Sequence, residues 1–478
     1  MTHRQENDIC FMSARELAES IQARKISARE VMRAFLRQIE RINPKLNAIV
    51  AKLDDDECLA LSDQADQRLT RGDEIGPLHG LPFAFKDLDA AVGFPMTRGS
   101  PIFKNFIPPE DSVLVERLKH AGVIPIGKTN VSEFGMGSHT YNDVYGTTLN
   151  PYDLTKSAGG SSGGAGAALA AGLLPLASGS DLGGSLRNPA NFNNIVALRP
   201  TVGLVPSAPV ALPFLGFAVK GPMARSVGDV AFLLSAMAGS DPRDPAIYPC
   251  DSSIFAKPLA RDFKGIRVAW CPDLGGLPLD RRVQRVLESQ RKTFADLGCI
   301  VEEACPDFTG ADEVFLTIRA WNYRHILGPL LEDHRHEIKP EAVWQIESGS
   351  KLSGGDVANA MAGQGELMQR MRRFQEKYEF FLCAVNQVPP FDATISWPGE
   401  IEGVKMESYL DWMKSAYWIT PTFCPAISVP AGFTTDNLPV GVQIVGRYRD
   451  DVGVLQIAYA FEQATGFGRV RPAIASGS

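Results

Sequence analysis

The sequence predicts an α/β protein: a single large α/β/α layered domain around a mixed β-sheet, with an N-terminal helical layer and a variable helical cap. Three observations carry this. Short β-type runs alternate with amphipathic helical stretches through the first two thirds of the chain. At 478 residues the chain is long enough for one continuous, decorated sheet. Its composition, 45% hydrophobic and 22% charged, is that of a globular protein with a sizeable core, and no internal repeat is visible.

Residues 1–70 form the helical layer. Ser13-Ala14-Arg15-Glu16 and Ser27-Ala28-Arg29-Glu30 are both capping boxes, leading into Leu17 and Ile21 and into Val31, Phe35 and Ile39 at helical spacing. The core spans 71–304. Leu78 to Leu88 reads as a strand after the turn residues Gly76-Pro77, with Lys86 near its end. Further strands at Val123 to Ile126, Ile195 to Leu198 and Ile266 to Trp270 alternate with helices at Val113 to His120 and Val227 to Ala238. An amphipathic helix over 281–298 precedes a strand at Cys299 to Val301. Over 305–418 the pattern weakens, and five of the six Trp (Trp321, Trp344, Trp397, Trp412, Trp418) collect there. This segment reads equally as a helical subcore and as a cap lining a pocket. Residues 419–478 complete the core: 426–446 is strand, turn, strand, and Val454 to Glu462 a last helix.

Net charge of -7 offers no basic field for a phosphate backbone, so nucleic acid is not an expected partner. No segment has the roughly 20 uninterrupted apolar residues of a membrane span. The polar N-terminus, MTHRQENDICFMSARELAES, lacks a signal-peptide core, which predicts a cytoplasmic protein, monomer or homodimer. The eight cysteines (Cys10, Cys58, Cys250, Cys271, Cys299, Cys305, Cys383, Cys424) are scattered without a CxxC pair and read as reduced thiols, mostly core filler. His334 and His336, in EDHRHE, read as a solvated face. No metal and no cofactor is expected.

Chemistry concentrates between Ala158 and Ala190, in the clusters Gly159-Gly160-Ser161-Ser162-Gly163-Gly164 and Gly183-Gly184-Ser185-Leu186-Arg187. Such tracts are often linkers. Here an Ala- and Leu-rich helix, an apolar run and a single acid, Asp181, connect the two clusters, a pattern a linker has no use for. Glycines beside hydroxyls instead suit a nucleophile and an oxyanion hole.

Three lone patterns point elsewhere. Gly122 to Thr129 fits the phosphate-loop spacing, but Val123, Ile124, Pro125 and Ile126 read as a buried strand. Gly159-x-Ser161-x-Gly163 fits the elbow of α/β-hydrolases, a weaker alternative because only His325, His334 and His336 follow Ser161. Ser348-Gly-Ser-Lys351 fits SxxK within a polar segment that reads as a loop. Without a suitable His, a lysine can serve as base if burial lowers its pKa. Lys86, after Leu81-Pro82-Phe83-Ala84-Phe85, is the candidate; a buried ion pair with Asp87 or Asp89 is the alternative.

GLPFAFKDL at 80–88, GKTNVSEFG at 127–135, NPYDLTKSAGGSSGG at 150–164 and GSDLGGSLRNPA at 179–190 together resemble the amidase signature family. The resemblance is dense over about 75–240 and returns at 426–462. Four ordered motifs make it specific, and the 24-residue step from Ser161 to Ser185 agrees with that family's two serines. It implies Ser185 as nucleophile, Ser161 after a cis peptide as bridging serine, and Lys86 as general base. It also implies an oxyanion hole from the backbone of Leu182, Gly183, Gly184 and Ser185, and supporting roles for Ser162, Asp181 and Arg187, the last two open also to reading as a plain ion pair. Gly135, Met136 and Gly137, with Ser138, match a loop lining the acyl pocket, although Met136 could equally be core filler. Thr422-Phe423-Cys424 departs from the Asn and Gly that many members carry before Pro425-Ala426, which alters that pocket wall.

The function so implied is hydrolysis of a C–N amide bond of a small, largely apolar or aryl amide through a Ser185 acyl-enzyme, as in aryl acylamidases. Carbamate (urethane) or ester bonds are also plausible substrates. The alternatives are the glutaminase component of a tRNA-dependent amidotransferase, a group the family also contains, and a non-catalytic scaffold, against which the retained Lys86, Ser161 and Ser185 argue.

Overall fold

The structure, a computed structural model, describes residues 8–476. Ten of its strands concern the site and the main sheet: in chain order, β1 (Pro82–Lys86), β2 (Ile124–Thr129), β3 (Leu176–Asp181), β4 (Val196–Arg199), β5 (Val219–Ala224), β6 (Arg267–Trp270), β7 (Ile300–Glu303), β8 (Phe380–Ala384), β9 (Ala426–Phe433) and β10 (Pro439–Val445). Eight of them form a mixed sheet in the order β7-β6-β8-β10-β9-β4-β5-β3. β8 and β7 flank β6 in parallel, and every other neighbour is antiparallel. β1 and β2 pair in parallel in a separate three-stranded sheet completed by Ile49–Val50, rather than joining the main sheet.

Both faces of the main sheet are covered. Phe380, Leu382 and Ala384 of β8 enter one core while Phe381 and Cys383 enter the other, the period-two alternation of a strand between two layers. Val268 and Trp270 of β6 likewise face one side and Ala269 the other. Helices Val227–Met237, Arg281–Asp296 and Asp451–Thr465 lie over the first face. Helix Gly354–Lys377 brings Leu367 and Met371 to the second.

Both predicted capping boxes form, with Ser13 and Ser27 accepting from the Glu16 and Glu30 amides while those carboxylates accept from the cap backbone. The first helix is tied to the core by the Ala14 N–H donating to Asp229 Oδ2 at 3.0 Å. Leu17, Ile21, Val31, Phe35 and Ile39 are all buried. Residues 1–7 of the polar N-terminus lie outside the described residues, and no helix among those described is long and apolar enough to cross a membrane.

Three expectations are corrected. The segment 305–418 holds helices Ala311–Leu327, Pro340–Ser350 and Gly354–Lys377 and also the core strand β8, so it is more than a cap. Ser348 lies in a helix, not a loop, its hydroxyl donating to the Trp344 carbonyl one turn back at 2.8 Å. Cys271 and Cys305 form a disulfide. The parallel register sets Trp270 opposite Glu303, so the chain leaves both strands side by side, with Cα atoms 5.2 Å apart. The other six cysteines form no disulfide, and both sulfurs of the Cys271, Asp273 and Cys305 group are spent in this one.

Candidate active site

β1 ends at Lys86, buried with no exposed surface behind Phe83, Ala84 and Phe85. Its Nζ lies 2.9 Å from Ser161 Oγ, 2.8 Å from Ser162 Oγ and 2.9 Å from Ser180 Oγ. Ser161 follows a cis peptide bond from Gly160. The two Gly/Ser clusters are clipped together where the Ser162 N–H donates to the Ser185 carbonyl at 3.3 Å. Lys86, Ser161 and Ser185, far apart in sequence, are thus gathered at the ends of β1 and β3.

Burial above all, then the like charge of Lys220, brings the Lys86 amine down to about 7, against the opposing pull of Asp89 and Asp181. A neutral amine has two N–H groups and one lone pair. Among three hydroxyl neighbours, one must therefore donate to it, and that hydroxyl becomes the better proton acceptor for a third partner.

Behind Ser185 stands a fully buried charge cluster. Asp181 Oδ1 accepts from Arg187 Nη2 at 2.9 Å, from Arg199 Nη1 at 3.1 Å and from the Gly184 N–H at 2.9 Å. Its Oδ2 accepts from Arg187 Nε at 3.0 Å and from the Leu186 N–H at 3.3 Å. Burial alone would raise this carboxyl, but the two guanidiniums outweigh it and hold it well below the ordinary carboxylate range. Asp181 and Arg187 are therefore an ion pair and also the brace of the loop that carries Ser185. Arg187 Nη1 extends the brace to Gln443 Oε1 at 2.6 Å and to the Ala416 carbonyl at 2.8 Å.

This geometry corrects one part of the expected oxyanion hole. The Gly184 N–H is turned inward to Asp181 because the chain closes a tight loop over that carboxylate, so it does not face a substrate.

Gly135 sits where an added Cβ would lie 3.6 Å from Ser161 Oγ, so the 135–137 loop does border the serine cluster. Met136 is buried in a subcore with Phe134 and Tyr323, as core filler would be, and Gly137 faces Tyr409. Ser138 Oγ accepts from Asn188 Nδ2 at 2.7 Å, joining this loop to the helix after Ser185. A Cβ on Gly183 would stand 3.0 Å from Phe315 Cζ and 3.4 Å from Met413 Cε. The aromatic cluster of the 305–418 segment therefore reaches the loop before Ser185, with Phe315 stacked on Tyr417 at 4.2 Å. Phe423, in the departing Thr422-Phe423-Cys424 run, joins it edge-on to Phe217 at 6.3 Å.

Histidines are engaged elsewhere. His139 lies between Ser157 Oγ at 2.7 Å and the Ala393 carbonyl at 3.1 Å, and burial brings it down to about 4. His334 meets Glu337 at 2.8 Å. β2 runs through the phosphate-loop pattern, with Lys128 buried and donating to the Asp89 carbonyl. Sequence reasoning missed Ser180, Arg199, Lys220 and Gln443. Ser180 was within reach, since it lies inside the GSDLGGS run; the others come from strands that pair only in three dimensions.

Residues 30–455 match the sequence profile of the Amidase family. An acylamidase of Rhodococcus erythropolis is 36% identical over 476 residues, spanning 98% of each chain. A glutamyl-tRNA(Gln) amidotransferase chain of Cyanothece sp. is 32% identical over 473 residues, 95% of this chain and 98% of that one. Among solved structures, a bacterial aryl acylamidase of the amidase signature enzymes superposes with a TM-score of 0.89 at 27% identity over 98% of this chain and 99% of that one. A 6-aminohexanoate cyclic dimer hydrolase complexed with substrate gives 0.86 at 26% over the same shares. The chain belongs to the amidase signature family and is an amidase, a hydrolase of carbon–nitrogen bonds other than peptide bonds.

Proposed function

We propose that the chain hydrolyses a small, largely apolar or aryl amide through an acyl-enzyme on Ser185. The observation that carries this is the buried Lys86 amine, brought down to about 7 and placed 2.9 Å from Ser161 Oγ. Neutral Lys86 accepts the Ser161 hydroxyl proton as Ser161 takes one from Ser185, whose oxygen attacks the carbonyl carbon. The backbone N–H groups of Leu182, Gly183 and Ser185 receive the developing oxyanion. On collapse the C–N bond breaks, and the proton returns through Ser161 to the leaving amine. Water then attacks the acyl-enzyme by the same relay, releasing the acid and restoring Ser185.

The apolar cluster of Phe217, Phe315, Met413 and Tyr417 beside the loop before Ser185 supports an apolar or aryl group on the substrate. So does the similarity to acylamidase and aryl acylamidase. Carbamates and esters fit the same route, because a carbonyl with either leaving group forms an acyl-enzyme. The test is a panel of anilides, primary amides, carbamates and esters on the purified chain. Anilide turnover that vanishes in Ser185→Ala is expected; undiminished turnover in that variant would refute the nucleophile.

A second reading is the glutaminase component of an amidotransferase, supported by similarity over 98% of the length of the Cyanothece chain. Turnover of glutamine alone within the panel would favour it, and anilide turnover without a partner would count against it.

A further inference from the structure

Between the 202–219 loop and helix Ala311–Leu327 lies a cavity of about 360 Å³, lined by Arg98, Val205, Leu215, Phe217, Asn322 and Ile326 among others. Its walls are mostly apolar, broken by four polar side chains, among them Arg98 and Asn322. The Arg98 guanidinium lies over the Phe103 ring at 4.8 Å and forms no ion pair among the described residues, although the Asp87 carboxylate attracts it from farther away. The Asn322 side chain, 9% exposed, makes no hydrogen bond to any of them either. One acid, Asp244, also lines the cavity, but its carboxylate is taken by the Ser207 N–H at 2.7 Å and the Ala246 N–H at 3.1 Å. Both groups keep polar atoms within reach of solvent, so their N–H donors are open to a ligand that displaces water.

No residue of the serine cluster lines the cavity, which is linked to that cluster by one backbone segment and one pair of rings. The Arg98 N–H donates to the carbonyl of Asp87, next to Lys86, at 3.2 Å, and its own carbonyl accepts from the Phe134 N–H at 2.7 Å. Arg98 is held there with φ at 55°, a conformation that side chains with a Cβ seldom adopt. On the other side Phe217 stacks on Phe315 at 6.2 Å, the ring that meets Gly183. The outer rim carries Val210, 45% exposed.

We infer that this cavity receives a carboxylate on the substrate, held by the Arg98 guanidinium and the Asn322 amide, so that the preferred substrate is an aryl amide bearing an acid group. A guanidinium fork binds a carboxylate through two parallel N–H donors, and an amide N–H can complete the set. The apolar walls take the ring. This rests on the amidase reading above and narrows its substrate class.

Two measurements test it. The first compares kcat/KM for 4-acetamidobenzoate and for a neutral partner with a single C–N bond to cleave, 4-acetamidoacetophenone. The acid is expected to be favoured about tenfold in the native chain, a ratio of the size one buried polar contact supplies. In Arg98→Met and Asn322→Ala that ratio falls towards one, the loss appearing in KM, while Arg98→Lys keeps part of it. The second is calorimetric binding of 4-acetamidobenzoate to Ser185→Ala, with and without Arg98→Met, where about tenfold weaker binding is expected in the double variant. An acid favoured no more than the neutral partner, or a ratio or affinity indifferent to Arg98, overturns the inference and leaves the amidase reading untouched. Binding that depends on Arg98 without any turnover upholds the site and refutes the Ser185 mechanism instead.

Discussion

Lys86 Nζ and Ser161 Oγ stand 2.9 Å apart in a place that burial and Lys220 together make hostile to a charged amine. With Lys86 near 7, the reactive neutral form is the minority below that pH and the majority above it. We expect kcat/KM to rise through about 7 and, below it, to drop roughly tenfold per pH unit. A pH profile on any cleaved anilide checks this. A flat profile from about pH 5 to pH 8 would remove Lys86 as the base.

Lys220 should set where that limb falls. β5 pairs Lys220 directly opposite Ser180, whose hydroxyl Lys86 contacts, and Lys220 forms an ion pair with Asp89. Like charge lowers the Lys86 pKa and the carboxylate raises it. Lys220→Met should therefore move the acidic limb to higher pH and Asp89→Asn to lower pH, each by about one unit or less at this spacing. Shifts in one common direction would show that packing, not charge, controls the amine.

The same burial makes Lys86 a liability for folding. Its folded pKa lies below its unfolded value, so the unfolded chain binds the extra proton and stability rises with pH between about 7 and 10. Lys86→Met removes that slope. Near neutrality the variant should be inactive yet at least as stable as the native chain, by an amount up to the order of 4 kcal/mol before its lost hydrogen bonds are counted. Urea midpoints measured from pH 7 to pH 9.5 decide it. A variant that is both inactive and markedly less stable at every pH would contradict it.

How far the chain could be read beforehand follows from the physics of each segment. Capping boxes and amphipathic faces are local, so the helices starting at Ala14 and Ala28 and the helix Val113–His120 were legible to within a residue. β8 was not: Phe380 to Ala384 is buried on both faces, and an unbroken apolar run of five has no period to separate strand from buried helix. That Lys86 lies beside Ser161 was legible because glycine clusters and an apolar run before a lysine are chemically unusual and because four ordered motifs resemble the amidase signature family. Arg199, Lys220 and Gln443 were not, since each meets the site only through strand pairing at long sequence separation. The Cys271–Cys305 disulfide escaped for the same reason.

Asp181 carries the last prediction. Its carboxylate holds the N–H groups of Gly184 and Leu186 on either side of Ser185 while pairing with Arg187 and Arg199, both without exposed surface, and offsetting one of their two charges. Asp181→Asn preserves shape and removes the charge, leaving two buried guanidiniums uncompensated, a change that typically costs about 3–5 kcal/mol. Gly184, at φ 107°, has no slack to absorb a shifted loop, because a Cβ there would fall 2.6 Å from Ala416 Cβ and from Asn188 Nδ2. We therefore expect the variant to lose both stability and turnover. Asp181 titrates well below the ordinary carboxylate range, so its contribution is complete above the unfolded pKa and is lost only as pH falls through the lower folded value. The stability deficit should then be constant from pH 5 to pH 8, unlike the sloping difference expected for Lys86→Met. Adding Arg199→Met should recover part of the stability by removing one of the stranded cations. Denaturant midpoints for the single and double variants across that range test the account, and an Asp181→Asn chain as stable as the native one would show that this carboxylate does not brace the loop.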